Sequence, residues 1–278
     1  MTKKAKVSQS KKDDSRSRKR DKPGKRTEPD AREGGLAARL VNPADGVRSV
    51  LVITAHPDDV DFGAAGTVAV MTEQGVDVTY CIVTDGDAGG SDRDTTHEQR
   101  ATLRQSEQRA AAKEVGVESL IFLGHPDGRV EANLDLRRDL SRVIRQVRPD
   151  RVICQSSQLN LDRIYASHPD HLATGEAALC AVYPDARNHF AHPELLEEGL
   201  EPHTVPEVWV MAFSDPNVAV ETTHVLDRKI AALRSHASQV GDGEHIEELI
   251  TSWGRQIGLS VGLGKKRSAE SFRAVDTK

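Results

Sequence analysis

The sequence predicts an α/β fold: a Rossmann-like, mainly parallel sheet with helices on both faces, built by a single domain. Three observations carry this expectation. Short apolar runs alternate with helix-length segments from Val47 onward, the pattern of βαβ units. The runs are continuously apolar, as in VRSVLVIT (47–54), and strands covered on both faces read this way. Aromatic residues make up only 4% of the chain, so the core between those layers is expected to be aliphatic.

The elements follow in order. Leu36, Ala37, Leu40 and Val41 predict a short lead-in helix. The first strand is 47–54, and the helix after it, 63–75, ends at Gly75. VDVTYCIVT (76–84) is the second strand. A long helix over 97–115 is stopped by Gly116, a residue suited to the left-handed turn at a helix C-terminus. ESLIFLG (118–124) is the third strand, 134–148 a helix ended by Pro149, and DRVICQS (150–156) the fourth strand. A helix over 169–182 and a fifth strand, EVWVMAF (207–213), come next. A short strand at 224–226 and helices over 228–238 and 245–257 close the domain. Sheets of this kind bind ligands beyond the C-terminal ends of their strands.

Charge divides the chain. The formal net charge is −5, yet residues 1–26 hold twelve Lys/Arg against three Asp, and the remainder carries −14. Residues 1–34 have almost no large apolar side chains and cannot offset their ordering entropy. They are read as a disordered basic tail, with the domain occupying 35–278. No apolar run approaches the roughly 20 residues of a membrane span, and the basic N-terminus lacks the apolar stretch of a secretory signal. The three cysteines, Cys81, Cys154 and Cys180, lie in apolar runs. Such a sparse set argues for a reducing, cytoplasmic setting rather than a disulfide framework.

The tripeptide His-Pro-Asp occurs three times, at 56–58, 125–127 and 168–170, whereas composition alone predicts about 0.04 copies. The first copy, AHPDD (55–59), follows the first strand directly. Pro57 stiffens the turn, and the adjacent Asp58 and Asp59 point different ways and so can take different roles. The same residues would also serve as an ordinary strand-end turn with a helix-capping Asp. The second copy, GHPDG (124–128), has no second carboxylate or histidine beside it and reads as a structural or substrate-lining loop, with Asp127 at a strand's C-terminal end. The third, SHPDH (167–171), opens a helix and brings His168 and His171 onto neighbouring positions of its first turn. Together the first and third boxes offer histidines and carboxylates from two strand ends of one sheet. That is an inventory for metal-activated water attacking a carbonyl.

These boxes, with TDGDAGG (84–90), LRQSEQRAAAKEVGV (103–117), FLGHPDGRV (122–130), RPDRVI (148–153) and KIAALRSHASQ (229–239), resemble the LmbE-like/PIG-L family of zinc-dependent deacetylases over roughly residues 47–240. The resemblance implies a single catalytic domain in which His56, Asp59 and His171 bind zinc. It makes Asp58 the general base, and His168 the group that stabilises the tetrahedral oxyanion or protonates the leaving amine. Iron(II) also accepts two histidines and a carboxylate. Two departures stand out. Ala64-Ala65-Gly66 stands where the family commonly has a Gly-Gly pair, and Ala166 stands where mycothiol-related members carry a tyrosine, with Tyr165 beside it. Asp85, Arg104, Asp127, Arg163 and Tyr165 are expected to meet substrate. For Arg104 and Glu107, three apart on one helix, a surface ion pair is the competing reading. His236 is read either as a helix-end residue or as one acting behind the site.

The expected function is removal of an acetyl group from an N-acetylglucosaminyl-type sugar, with a small-molecule substrate and no membrane partner. The sequence is compatible with a homo-oligomer. An amidase acting on thiol S-conjugates of such a sugar would use the same residues. A nucleic-acid-binding role for the tail is disfavoured, because the tail has no aromatic residue for stacking and the domain is acidic.

Overall fold

The computed structural model describes residues 38–90, 94–241 and 244–278, without the side chains of 162, 163 and 244. The basic tail, and therefore the expected boundary at residue 34, lies outside the described residues.

The strands are β1 (Arg39–Leu40), β2 (Ser49–Thr54), β3 (Asp77–Thr84), β4 (Ser119–His125), β5 (Arg151–Cys154), β6 (Glu207–Val210), β7 (Val218–Glu221) and β8 (Ala269–Asp276). They form one sheet in the order β1-β7-β8-β6-β5-β2-β3-β4. Pairing is parallel throughout, except that β8 runs antiparallel to both β6 and β7. The mainly parallel α/β expectation therefore holds. Three local expectations are corrected. The described part of the lead-in segment is not helical: Arg39 and Leu40 pair with Val218 and Ala219 at the sheet edge, where a strand's backbone groups find partners. The strand expected at 224–226 is instead the 3₁₀ turn Thr223–Val225, and the strand itself is β7, just upstream. β8 was not anticipated. It fills the gap between β6 and β7.

The helices are α1 (Asp59–Gly63), α2 (Ala65–Glu73), α3 (His97–Glu114), α4 (Leu134–Val147), α5 (Pro169–Cys180), α6 (Pro193–Glu197), α7 (Leu226–Arg234), α8 (Ala237–Val240) and α9 (Glu244–Ser260). β2 shows why they cover both faces. Side chains alternate across a strand, and Val50 and Val52 pack with Val68, Met71 and Ala112 of α2 and α3. Leu51 and Ile53 pack with Leu140, Ile144 and Ala177 of α4 and α5. All four β2 residues are fully buried. Helix starts are specified locally. Thr96 and Gln99 form a reciprocal capping box at α3, and Asn133 caps α4 through the Leu136 N–H. Within Ala64-Ala65-Gly66 the glycine sits in close contact, because a Cβ at Gly66 would lie 2.8 Å from Thr222 Cγ2. Cys81 and Cys154 are buried thiols, and all three cysteines are unbridged.

The connectivity positions the site. β2 lies centrally; the chain runs from it to β3 and β4 on one side, then crosses back to β5 on the other. Helices and loops diverge at this reversal and leave a crevice at the C-terminal end of β2, where His56 to Asp59 lie.

Candidate metal centre

The first and third His-Pro-Asp boxes meet at this crevice. His56 Nδ1 lies 3.2 Å from His171 Nε2. Asp59 bridges the two, with Oδ2 3.3 Å from His56 Nδ1 and Oδ1 3.0 Å from His171 Nε2. A tetrahedral ion with ligand bonds of about 2.0–2.1 Å holds its donors about 3.3 Å apart, which is the spacing of the two histidine nitrogens, and each of those nitrogens contacts a different oxygen of Asp59. Burial opposes charge on His56, but its hydrogen bonds to the carboxylates of Asp127, Asp170 and Asp59 outweigh it and raise its pKa to about 12. Burial likewise opposes a charged His171, and Asp59 overrules it upward. Asp59, against burial, is held well below its usual value by His171 and His56. Protons therefore occupy donor positions that a cation would take over, and ligation requires their release.

The far nitrogen of His56 is held by two carboxylates. Nε2 lies 3.1 Å from Asp127 Oδ1 and 3.1 Å from Asp170 Oδ2. Asp170 is almost fully buried and also accepts the N–H groups of Gly128 (2.7 Å) and Val130 (3.2 Å). This keeps the proton on Nε2 and leaves Nδ1, which faces His171 and Asp59, as the nitrogen that would ligate a cation once its own proton is released. His125, the histidine of the middle box, instead meets Asp139 at 3.2 Å, apart from the triangle.

Asp58 has partners different from those of Asp59. Its backbone is left-handed, φ +93°, a conformation that costs a non-glycine residue about 1–3 kcal/mol. Its N–H donates to Gln108 Oε1 at 2.8 Å, and its Oδ2 accepts from Arg104 Nη2 at 2.9 Å. Burial and the neighbouring Asp59 raise its pKa to about 7, against the pull of Arg104. Gln108 also donates to Asp61 at 2.8 Å. Asp61 pairs with His236 Nε2 at 2.9 Å, and both side chains are fully buried. A chain of hydrogen bonds thus joins His236, through Asp61 and Gln108, to the Asp58 N–H. His168 caps α5: its Nδ1 accepts the Asp170 N–H at 3.2 Å. A neutral ring that accepts at Nδ1 carries its hydrogen on Nε2. Burial, with His56 and His171 nearby, lowers its pKa and favours that neutral ring.

A cavity of about 580 Å³ opens beside Asp58, Asp59 and His171, with Tyr165 in its wall. The other residues expected to meet substrate are engaged elsewhere. Arg104 is 4% exposed and Glu107 8%, which corrects the surface ion-pair reading. Arg104 donates to the carbonyls of Pro57 and Gly86 as well as to Asp58, while Glu107 accepts from Ser238. Arg104 therefore clamps the AHPDD turn from beneath. Gly86 and Gly89 leave room for it, since a Cβ on either would come within 2.6 Å of its Nη1. Asp85 accepts from Gln105 at 2.8 Å. Asp127 holds His56 and the Ala88 N–H. Neither lines the cavity. Arg163 lies in the 3₁₀ segment Leu161–Ser167, and its side chain is not described. Sequence reasoning did not single out Asp170, Asp61 or Gln108. Asp170 carried a signal, as the Asp of a repeated box; Gln108 carried none.

Residues 51–182 match the family model described as PIG-L, GlcNAc-PI de-N-acetylase. Diacetylchitobiose deacetylase of Thermococcus kodakarensis is 32% identical over 241 residues, covering 86% of this chain and 88% of that protein. A probable N-acetyl-alpha-D-glucosaminyl L-malate deacetylase 2 of Bacillus cereus is 31% identical over 199 residues, covering 69% and 84%. Among solved structures, N,N'-diacetylchitobiose deacetylase from Pyrococcus horikoshii superposes with a TM-score of 0.78 at 28% identity, over 84% of this chain and 86% of that one.

Proposed function

The chain belongs to the PIG-L (GlcNAc-PI de-N-acetylase) family, and from that premise we propose that it hydrolyses the acetamide of an N-acetylglucosaminyl-type sugar, releasing acetate and the free amine. The observation that carries the reading is the convergence of His56, Asp59 and His171: the two histidine nitrogens lie 3.2 Å apart, and each lies within 3.3 Å of one Asp59 oxygen. Two imidazole nitrogens and a carboxylate suit zinc, and iron(II) accepts the same set. An ion held there supplies Lewis-acid polarisation of the amide carbonyl and acidifies water.

The remaining steps fall to side chains of this chain. Asp58 takes the proton of the attacking water. A carboxylate with a pKa of about 7 is both substantially ionised and basic enough at neutral pH. Arg104 and Gln108 fix its direction. His168 donates its Nε2 hydrogen to the carbonyl oxygen as negative charge grows there, and a neutral ring makes that donation without a charge of its own. The proton collected by Asp58 passes to the departing nitrogen. Asp127 and Asp170 keep His56 oriented throughout. Tyr165, in the cavity wall, and Arg163 are proposed to contact the sugar.

A cytoplasmic setting accords with the unbridged cysteines. Among the described residues no helix is long and apolar enough to cross a membrane. The test is incubation of the zinc-loaded protein with N-acetylglucosamine, diacetylchitobiose and N-acetylglucosaminyl malate, following loss of one acetyl group by mass. Deacetylation of at least one is expected; metal-replete protein that deacetylates none of them, nor any glycoside of N-acetylglucosamine, overturns the proposal.

A further inference from the structure

The cavity that begins at Asp58, Asp59 and His171 extends well past them. Its volume of about 580 Å³ is in the range that holds drug-sized ligands. Away from the donor end its wall is formed by Met211, Phe213, Leu226, Ile250, Trp253 and Ile257. The Trp253 ring lies parallel to that of Tyr165, at an interplanar angle of 5° with centroids 6.3 Å apart. Beyond the donor end the charged lining residues are Lys229 and Glu270, and they satisfy each other. Glu270 Oε1 accepts the Lys229 ammonium and the Gly66 N–H, and Oε2 accepts the Thr67 N–H at 2.7 Å. Lys229 also donates to the Phe62 carbonyl at 2.7 Å. Each side chain is 7% exposed. This arm therefore presents mainly apolar surface and an internally neutralised ion pair, with the polar side chains of Thr222, Gln256 and Ser271 among its lining.

We propose that the arm is a subsite for an uncharged, apolar substituent on the substrate sugar, an aryl or alkyl aglycone, and that Trp253 and Ile257 set the preference for it. A second sugar ring would set part of its hydroxyl groups against the apolar side chains, away from the few polar ones such as Gln256 and Ser271. An anionic substituent would meet a lysine whose charge Glu270 already balances. The proposal rests on the deacetylase reading for the location of the acetamide, at the donor end of the same cavity.

The test compares kcat/KM for the methyl, benzyl and octyl glycosides of N-acetylglucosamine with the zinc-loaded full chain. The benzyl or octyl glycoside is expected to exceed the methyl glycoside by about tenfold or more, the factor that corresponds to about 1.4 kcal/mol. In Trp253→Ala, and separately in Ile257→Gln, that ratio is expected to fall toward one. The ratio cancels any loss of folded protein. Calorimetric binding of the benzyl and methyl glycosides of glucosamine separates this proposal from the catalytic one. If no glycoside is deacetylated but the benzyl compound binds at least tenfold tighter than the methyl compound, the deacetylase reading fails and the subsite stands. Equal kcat/KM and equal affinity across the series overturn the subsite. So does a gain that follows N-acyl chain length at a fixed methyl glycoside, or a higher kcat/KM for diacetylchitobiose than for both apolar glycosides.

Discussion

Replacing Asp170 by asparagine keeps its size and removes its charge, and so isolates what the carboxylate does. Asp170 Oδ2 lies 3.1 Å from His56 Nε2, on the side of the ring opposite the donor triangle. Losing a carboxylate that orients a ligating histidine lowers metal affinity about 10- to 100-fold. Here Asp127 Oδ1 remains at 3.1 Å from the same nitrogen, which places the single variant at the lower end, about tenfold or about 1.4 kcal/mol. Asp127→Asn combined with Asp170→Asn removes both acceptor charges and is expected to approach 100-fold, about 2.7 kcal/mol. Asp170 also accepts two backbone N–H groups. Weakening those charge-assisted bonds costs about 1–2 kcal/mol of stability, or about 2–8 °C in Tm for a domain of this size. The assay is competition for zinc with a chromophoric chelator at constant pH, with circular dichroism as the control for folding. An unchanged zinc Kd in the folded double variant would refute the reasoning, because His56 would then be held without either carboxylate.

Asp58→Asn is expected to retain metal while kcat falls about 10²- to 10⁴-fold, the usual contribution of a general base, whereas His171→Ala loses metal; metal analysis beside turnover separates the two. Lys229→Met leaves Glu270 buried without its cation and is expected to cost about 3–5 kcal/mol, read as a fall in Tm, with part of the loss recovered in Lys229→Met/Glu270→Gln. His236 has a raised pKa, since Asp61 at 2.9 Å outweighs the burial that opposes its charge. A raised folded-state pKa adds stability that is complete below the unfolded value near 6.5 and is lost as pH rises through the folded value. The stability difference between wild type and His236→Ala should therefore narrow from pH 6 toward alkaline pH in urea titrations, and a constant difference would remove the charged pairing. Deleting residues 1–34 is expected to leave kcat unchanged, because every motif begins after Val47.

Features governed by short stretches of chain were visible in the sequence. The continuous apolar run at 47–54 announces a strand covered on both faces, and Leu51 and Val52 are indeed fully buried on opposite sides. The AHPDD turn announces two carboxylates with different surroundings: Asp59 contacts both histidines of the triangle, and Asp58 contacts Arg104. Features governed by which face of an element turns inward were not visible. Arg104 and Glu107 share a helix face in the way a surface pair does, and only the packing of α3 against the AHPDD turn and the 236–239 segment buries them. The carboxylate of Asp85 satisfies Gln105 for the same reason.

By itself, the sequence determined the alternation of strands and helices, the strand-end location of the three His-Pro-Asp boxes and the set of side chains available for chemistry. Each of these follows from local propensity and periodicity. Only the tertiary structure decided how those side chains pair. Asp170 reaches His56 across 114 positions, His236 reaches Asp61 across 175, and β8 enters between β6 and β7. The physical reason is that a buried charge or an unpaired strand edge must find a partner somewhere in the folded chain. Local pattern records the demand for that partner, and the packing of the sheet and its helices determines which residue meets it.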